Sequence, residues 1–413
     1  MIIEFSNDGK ECNIKDLHAK GFCIDPNRDV NGSFQDDDDN LQENKLTFNF
    51  VGFITNKNND IMLLAPKGYK IVSLDNDAQI IFSVIQKHMQ KNPDLYVGDI
   101  YGEKYVSSYP FASFWGIYNY FIKFGLYHNS IKKTKYNING KIDWKTTIKK
   151  TNFYIKENNL LMFPFYRSKK YNLTTLITEC MIFAIDYTID KFSNILNAHK
   201  TGYNLPENDF ICNKEKITRV LEDTKNLIFN DKTLQLLDNL IDFFKNLNLG
   251  GNYYFKTYVF EYIWEDMISQ YLNKHFEKII GNNLIFSKDS ILNKNFKKIA
   301  FYPNMANKKH SIEPDFYYSE LDNQYIFDAK YKKYINGIDY KQVCYLMFLS
   351  EKKDEKLSKQ YKNTYSALII PDEYTHSNIH FQIDPSFNDS FCNLYIIEQY
   401  LNIREIMQWY IDF

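Results

Sequence analysis

Two aspartates and one lysine between residues 312 and 345 are residue types that can hold a divalent metal ion and act on a phosphodiester. Asp315 follows a proline in one predicted strand, and Asp328 and Lys330 end a second predicted strand after a short apolar run. Side chains two positions apart in a strand share a face, so Asp328 and Lys330 point the same way. A turn at 321–323 would pair the two strands and bring the three side chains together at one end of the hairpin.

The close approach of two carboxylates is unfavourable unless a cation offsets their like charges. Hard oxygen ligands of this kind suit Mg²⁺, with Mn²⁺ as the second choice. The pattern therefore predicts a metal site for phosphodiester hydrolysis. The alternative is a solvated strand face on which Asp and Lys alternate, since a bare D-x-K triplet is common. The order of the motif, with Pro-Asp first, an apolar run next and a helix carrying Gln342 last, favours the metal site.

The motif resembles the pattern of the PD-(D/E)XK nuclease superfamily, present here as Pro314-Asp315 followed by Asp328-Ala329-Lys330. The longer stretch, which continues to Asp339-Tyr340-Lys341-Gln342, is similar to the nuclease subunits of McrC-type and LlaJI-type restriction systems. Three phrases elsewhere are also similar to those subunits, namely Phe50-Val51-Gly52, Pro66-Lys67-Gly68 and residues 140–148, which read G-x-I-D-W-x-x-T-I.

The resemblance implies roles for the acidic residues. Asp315, Asp328 and the backbone carbonyl of Ala329 would hold one or two Mg²⁺ ions beside the scissile phosphate. In the superfamily a helix before the sheet often adds a glutamate, and W-E-D-M-I around Glu265 resembles the F-E-x-x-V phrase of McrC-like subunits. Glu265 is therefore the first choice for this ligand, and Glu261, one helical turn earlier, is the second.

Two further residues receive roles from the same resemblance. Lys330 would stabilise the charge that develops on the phosphate or orient the attacking water, with a depressed pKa if its side chain is partly buried. Gln342 corresponds to a glutamine that some superfamily members place near the metal or the DNA backbone.

The implied function is that of a Mg²⁺-dependent endonuclease subunit of a restriction or phage-defence system, which cuts double-stranded DNA together with an AAA+ NTPase of the McrB type. The sequence contains no G-x-x-x-x-G-K-[ST] phosphate loop, so nucleotide hydrolysis would come from the partner. One alternative is a stand-alone, site-specific type II restriction endonuclease in which residues 1–150 read DNA. Another is a catalytically inactive adaptor that activates an NTPase, and the intact set of acids and lysine argues against it.

Composition indicates a globular protein and limits how it meets nucleic acid. The 413 residues are enough for two or three domains, and 44% of them are hydrophobic. The 50 Lys and Arg nearly balance the 51 Asp and Glu, so DNA binding must depend on local basic patches. Candidate patches are Lys132-Lys133-Thr134-Lys135, Lys149-Lys150, Lys169-Lys170, Lys297-Lys298, Lys308-Lys309 and Lys332-Lys333.

Cysteine spacing and hydropathy restrict the class of protein further. The six cysteines include no C-x-x-C pair, which argues against a zinc site or a disulfide framework. No apolar run approaches 18 residues and the N-terminus lacks a basic and apolar leader, so we expect a soluble, cytoplasmic protein with no membrane role. The acidic run 36–39 is expected to be a loop.

The predicted fold is a multidomain α+β or α/β chain. Residues 1–150 are expected to form a small β-rich region for partner or DNA binding, and residues 151–249 a helical linker domain. Residues 250–413 are expected to form the endonuclease domain, with a mixed sheet in the PD-(D/E)XK order αβββαβ. Its predicted elements are a helix at 253–276, strands at 284–286 and 298–302, the two strands of the motif, a helix at 339–350, and strands at 366–370 and 379–383.

Overall fold

A computed structural model describes residues 2–32, 46–91, 105–136, 138–157, 159–204, 209–248, 250–287, 293–307, 309–352, 360–386 and 394–413. The acidic run 36–39, which the sequence predicts to be a loop, and Lys308 of one basic patch lie outside these residues. The described residues form a mixed α+β structure with ten helices and nineteen strands, so the predicted class is confirmed at this level. No helix among them is long and apolar enough to cross a membrane.

The helices and strands are numbered here in chain order. The first part of the chain contains β1 (Ile2–Asn7), α1 (Ile14–Ala19), β2 (Val30–Gly32), β3 (Leu46–Phe48), β4 (Val51–Thr55), β5 (Ile61–Ala65), α2 (Leu74–Lys91) and β6 (Tyr105–Ser107). The middle part contains α3 (Phe111–Phe124), β7 (Asn129–Lys135), β8 (Lys141–Ile142), α4 (Trp144–Lys150), β9 (Asn152–Lys156), β10 (Asn159–Phe163), β11 (Arg167–Leu173), α5 (Leu176–Lys191), α6 (Lys214–Lys225) and α7 (Asp231–Asn246). The last part contains β12 (Tyr254–Thr257), α8 (Phe260–His275), β13 (Phe276–Ile280), β14 (Asn283–Phe286), β15 (Phe316–Glu320), β16 (Asn323–Ala329), α9 (Tyr340–Ser350), β17 (Asn363–Asp372), β18 (His376–Gln382), β19 (Tyr395–Asn402) and α10 (Ile403–Asp412).

The chain divides into two compact units. One comprises Met1–Ser108, Asn194–Asn197 and Gly250–Phe413, and the other comprises Tyr109–Ser193 and Ala198–Leu249. Residues 1–108 and 250–413 therefore share the first unit, whereas the sequence assigns them to two domains. The physical reason is that β12, from the C-terminal part, pairs between β4 and β6 of the N-terminal part.

The N-terminal sheet of the first unit has the strand order β1-β5-β4-β12-β6. β4 and β5 form an antiparallel hairpin, and every residue of both strands is buried. Gly52 in β4 has a φ of 145°, and a Cβ atom there would lie 2.0 Å from the carbonyl oxygen of Phe255 in β12. Only glycine permits so close an approach, which gives the Phe50-Val51-Gly52 phrase a structural cause.

A second phrase of the sequence joins this sheet to the C-terminal segment. The backbone N–H of Lys67 donates a 3.0 Å hydrogen bond to the hydroxyl of Tyr331, just beyond β16. Gly68 has a φ of 73°, and a Cβ atom there would lie 2.6 Å from the carbonyl oxygen of Pro371 in β17. The Pro66-Lys67-Gly68 phrase thus packs against the segment just beyond β16 and against β17.

A buried ion pair anchors β12 to the segment before β2. Lys256 Nζ lies 2.5 Å from Asp29 Oδ2, and the two side chains are 7% and 0% exposed. The hydroxyl of Tyr258 donates a 2.7 Å hydrogen bond to the other oxygen of Asp29. Because α8 begins at Phe260, directly after this segment, the pair fixes the start of the helix that carries Glu265.

The C-terminal sheet of the first unit has the order β15-β16-β17-β19-β18. β15 and β16 form an antiparallel hairpin, whereas β16, β17 and β19 run parallel to one another. α9 is the connection between the parallel strands β16 and β17, and Asp339 caps its N-terminus. The predicted hairpin and the predicted helix after it are therefore both present.

α8 packs an apolar face on this sheet but begins later than the sequence predicts. Buried Trp264 donates a 3.3 Å hydrogen bond from its indole N–H to the carbonyl oxygen of Ile369 in β17. The predicted helix at 253–276 is wrong at its start, because Tyr254–Thr257 is drawn into the N-terminal sheet as β12.

The predicted strand at 298–302 is also wrong. Lys297 and Phe301 make isolated antiparallel bridges, the first to Tyr317 in β15 and the second to Ile312. The chain thus meets two separate segments at these points instead of following one partner strand, so no continuous ladder forms.

The second unit combines helices with small sheets. Tyr109 contacts Phe111, Phe192 and Phe243, whose rings pack in the helical part of the unit. β7, β11 and β8 form an antiparallel sheet in that order, and β9 and β10 form a separate hairpin. Residues 151–249, which the sequence assigns to a helical linker, thus contain the strands β9, β10 and β11 before the helices α5, α6 and α7.

Replacing Lys256 by Met should lower the free energy of unfolding by about 3 to 5 kcal/mol, because Asp29 would keep a buried charge without its partner. Urea unfolding followed by circular dichroism measures the change. The control is Lys245→Met, which removes an exposed ion pair with Glu222 and should change unfolding little. Equal and small effects of the two substitutions would contradict this account of the buried pair.

Candidate active site

Asp315 and Asp328 stand opposite each other at the open end of the β15–β16 hairpin. The last register pair is Phe316 with Phe327, so the next position of each strand carries one of the aspartates. The N–H of Ala329 donates a 3.2 Å hydrogen bond to Asp315 Oδ2, which holds the first carboxyl group against the second strand. Opposed positions of antiparallel strands share a face, so both carboxyl groups point to the same side of the hairpin.

Glu265 of α8 lies beside Asp315. Both residues line a pocket of about 300 Å³, together with Tyr262, Asp266, Ser269, Lys298 and Phe316. Glu261 acts instead on Asp8 and Tyr331. Burial is the main cause that raises the pKa of each of these two residues, and the negative charge of Glu261 raises both pKa values further. Of the two glutamates that the sequence offers, the structure brings Glu265 to the aspartates.

The two aspartates share a partly buried space. Burial and then the charge of Asp328 raise the pKa of Asp315 to about 7, with a smaller contribution from Glu265. The side chain of Asp328 is only 2% exposed, and its Oδ1 accepts no hydrogen bond from the described residues. A buried carboxylate oxygen without a donor is unfavourable, so this pair would be stabilised by a cation.

Lys330 is held between two carboxylates. Its Nζ lies 2.6 Å from Asp328 Oδ2 and 3.0 Å from Asp339 Oδ2. Burial alone would lower the pKa of Lys330, but the charges and hydrogen bonds of Asp328 and Asp339 outweigh it and raise the pKa above its ordinary value. The depressed pKa expected for a partly buried Lys330 is therefore wrong, because two acids offset the desolvation. Lys330 is a stable cation.

A chain of polar contacts behind Lys330 has no counterpart in the sequence predictions. The N–H of Asp339 donates a 3.0 Å hydrogen bond to His380 Nε2, and His380 Nδ1 lies 2.7 Å from Glu398 Oε1. Nε2 must then be the accepting nitrogen, and Nδ1 carries the proton that Glu398 accepts. The Asp339 cap could be expected from the sequence, but His380 on β18 and Glu398 on β19 give no local signal. These contacts fix Asp339, and Asp339 fixes the ammonium of Lys330.

Two further lysines face the carboxylates. Lys298 Nζ lies 3.6 Å from Asp315 Oδ1 and 4.0 Å from Glu265 Oε1, and Lys341 Nζ lies 3.7 Å from Asp328 Oδ1. Both lysine side chains are 54% exposed, so water screens their charges and they can swing away from the acids. The sequence predicts Lys298 only as part of a basic patch, and it gives no role to Lys341.

Gln342 lies beneath the carboxylates. Its buried amide Nε2 donates hydrogen bonds of 2.9 Å to the carbonyl oxygen of Ile326 and 2.8 Å to Ser366 Oγ. These bonds tie α9 to β16, two positions before Asp328, and to β17. The described contacts of Gln342 are thus with the sheet, whereas the sequence assigns it to the metal or the DNA backbone.

The donor set fits a hard divalent cation. Among the described residues, no group of three or more His, Cys, Asp or Glu side chains is already drawn together as a ligand cluster. Two opposed aspartates with a glutamate beside one of them nevertheless supply the oxygen ligands that Mg²⁺ prefers. The buried Asp328 Oδ1 without a donor and the raised pKa of Asp315 are expected where ammonium groups alone offset the carboxylate charges.

The pKa of Asp315 predicts how metal-free stability depends on pH. The folded chain binds this proton more tightly than the unfolded chain, whose ordinary pKa is 3.8, so the free energy of unfolding falls as pH rises from about 4 to about 7. Asp315→Asn should make this decrease in the free energy of unfolding smaller, by at most about 4 kcal/mol. Urea unfolding in EDTA across that pH range measures it.

The control is Asp322→Asn, in the turn at the other end of the hairpin, where the side chain is 35% exposed. This variant should keep the wild-type pH dependence. If Asp315→Asn keeps it too, the carboxyl pair does not produce the effect.

Comparison with known proteins identifies the family. A model of the LlaJI restriction endonuclease family matches residues 50–403. No curated protein matches the sequence. Among solved structures, the chain is similar to a chain of the Thermococcus gammatolerans assembly of McrB AAA+ hexamers with bound McrC, at 12% identity and a TM-score of 0.37, over 100% of this chain and 99% of that chain. Because the family model spans most of the sequence, the chain belongs to the LlaJI restriction endonuclease family.

Proposed function

We propose that this chain is the nuclease subunit of a restriction system and a Mg²⁺-dependent endonuclease that hydrolyses phosphodiester bonds of double-stranded DNA. The observation that carries the proposal is the opposition of the carboxyl groups of the partly buried Asp315 and the buried Asp328, beside Glu265 and next to Lys330 held as a cation. Membership of a restriction endonuclease family supports nuclease activity.

The proposed fold of the catalytic segment is that of the PD-(D/E)XK nucleases. The order α8, β14, β15, β16, α9, β17 supports it, since it follows the αβββαβ pattern with both aspartates on the central hairpin. β13 and β14 depart from the pattern because they form a two-stranded sheet of their own.

The proposed mechanism assigns separate tasks to the acids and the lysine. Asp315, Asp328, Glu265 and the carbonyl of Ala329 would hold Mg²⁺, which when bound lowers the pKa of water and offsets charge on the phosphate. Lys330 stays protonated, so its ammonium stabilises the charge that develops on the phosphate and does not act as a general base.

We also propose a partner of the McrB AAA+ type. The support is the similarity of the phrases at 50–52, 66–68 and 140–148 to McrC-type and LlaJI-type subunits. In the Thermococcus gammatolerans assembly, McrC is bound to McrB AAA+ hexamers, and an arrangement of that kind is proposed for this chain.

Plasmid digestion with Mg²⁺ tests the proposal, with and without an AAA+ protein of the McrB type and with ATP or GTP. The wild-type chain should cleave only in the complete mixture. Cleavage by the chain alone would instead indicate a stand-alone type II enzyme. Stimulated nucleotide hydrolysis without any cleavage would indicate an inactive adaptor.

Asp328→Ala should lower the cleavage rate at least about 100-fold in the complete mixture, because it removes one of the two opposed carboxylates. Asp322→Ala, at the other end of the same hairpin, should cleave at the wild-type rate. Circular dichroism of both variants checks that they are folded. Cleavage by Asp328→Ala at a rate near wild type would show that the site is wrongly assigned.

Asp339→Asn should lower kcat about tenfold and leave the KM for DNA near its wild-type value, because Lys330 loses one of the two acids that position it. Asparagine also caps helices, so α9 should keep its start. In a Lys330→Ala background the same substitution should have no further effect on kcat. An additive loss in the double variant would contradict a positioning role for Asp339.

A further inference from the structure

A large charge asymmetry lies in the second unit, away in sequence from the proposed catalytic residues. Residues 129–173 contain eleven Lys or Arg against two Asp or Glu, whereas the whole chain has 50 against 51. These residues form β7, β8, α4, β9, β10 and β11. Several of the basic runs that the sequence analysis treats as separate candidate DNA-binding patches therefore belong to one small substructure.

The strand register sets like charges directly opposite one another. In the β7–β11 pair, Lys133 faces Lys169 and Lys135 faces Arg167. Positions two apart share a face, so these four cations, called the basic face below, lie on one side of the sheet. Directly opposed like charges destabilise a sheet, so the arrangement is unfavourable until a polyanion neutralises it.

The basic face is open to solvent. Lys133, Lys135 and Lys169 are exposed, and none of the strands β7, β8 and β11 contains an Asp or a Glu. Asp143, one of the two acids among residues 129–173, lies 3.2 Å from Lys132, whose position in the strand directs it to the other side of the sheet. Asp143 therefore does not offset the charge of the basic face.

An aromatic ring stands among these cations. Lys133 Nζ and Lys169 Nζ each lie 5.6 Å from the centre of the Tyr171 ring, which shares their face. The ring attracts both ammonium groups, and cations along one strand repeat every two residues, or about 6.7 Å. A row of regularly spaced cations suits a chain of phosphates better than a single small anion.

We propose that the basic face is a second DNA-contacting surface, which binds the phosphate backbone of a duplex without reading its bases. An acidic protein surface is the rival occupant, and the regular spacing along two strands favours the nucleic acid. The proposal depends on the charge arrangement of the second unit and not on the metal chemistry of the first, so the two can fail separately.

Fluorescence anisotropy of the full chain with a short labelled duplex tests the surface in EDTA, where cleavage is prevented. Combined Lys133→Gln, Lys135→Gln and Lys169→Gln substitutions should weaken binding at least about tenfold, and should reduce the slope of log affinity against log salt by about two to three. The matched control neutralises three exposed lysines of the same unit that pair with acids, namely Lys200, Lys225 and Lys245. This control changes the net charge equally and should bind as the wild type does.

Further measurements distinguish a DNA duplex from an acidic protein as the ligand of the basic face. Arginine at the three basic-face positions should retain binding, since the charge remains. Unchanged binding by the glutamine variant, or equal weakening by the control, would overturn the proposal. Competition by a polyglutamate peptide as effective as that of unlabelled duplex would assign the face to an acidic protein and overturn it as well.

Thermal unfolding shows whether the glutamine variant is folded. Relief of the opposed charges should leave it at least as stable as the wild type. If it is less stable than the wild type, the single substitution Lys169→Gln, at an exposed position, is used in the binding assay instead. This variant should reduce the slope of log affinity against log salt by about one. An unchanged slope in that variant would reject the proposal.

Discussion

The proximity of two carboxyl groups determines the electrostatics of the proposed catalytic site in the first unit. The register of one antiparallel hairpin sets Asp315 opposite Asp328, and burial keeps water from screening them, which raises the pKa of Asp315 to about 7. The surrounding cations offset this charge. Lys330 is fixed between Asp328 and Asp339, whereas Lys298 approaches from an exposed position at longer distance. One lysine is thus built into the protein and the other can be displaced, which is the arrangement expected of a site that exchanges an ammonium for a metal ion or a phosphate.

The parts of this site that the sequence predicts are those set by local geometry. Asp328 and Lys330 share a face because they are two residues apart in a strand, and the cap at Asp339 follows from its place before a helix. The parts that it does not predict depend on contacts between distant segments. His380 reaches Asp339 across 41 positions of the chain, and Lys256 reaches Asp29 across 227. Neither contact leaves a pattern in the residues around it, so local periodicity cannot supply them. The same distinction holds for the fold. The sequence predicts the local β15–β16 hairpin, but it does not predict the pairing of β12 with the distant strands of the N-terminal sheet.

The phrases that carry the family resemblance have structural causes apart from catalysis. In the phrase at 140–148, Asp143 caps α4 by accepting a 3.0 Å hydrogen bond from the N–H of Thr146. Thr147 is buried, and its hydroxyl exchanges hydrogen bonds with the backbone of Tyr166, just before β11. The phrase therefore holds the short helix α4 against the basic sheet. Residues of this kind mark a family because the backbone arrangement needs them, and so the resemblance identified the family correctly without giving these residues a part in the chemistry.

The near-zero net charge of the chain conceals two different electrostatic designs. At the proposed site of the first unit, the partly buried ammonium of Lys330 lies 2.6 Å from Asp328 Oδ2 and 3.0 Å from Asp339 Oδ2, so these interactions are short-ranged and little affected by salt. In the second unit, the lysines of the basic face are exposed and set against one another, so their field extends into solvent and is screened by salt. The first design suits a site where charge must be placed to within an ångström for chemistry. The second suits a surface that attracts a polyanion without fixing its position, and the proposed DNA endonuclease activity would use both.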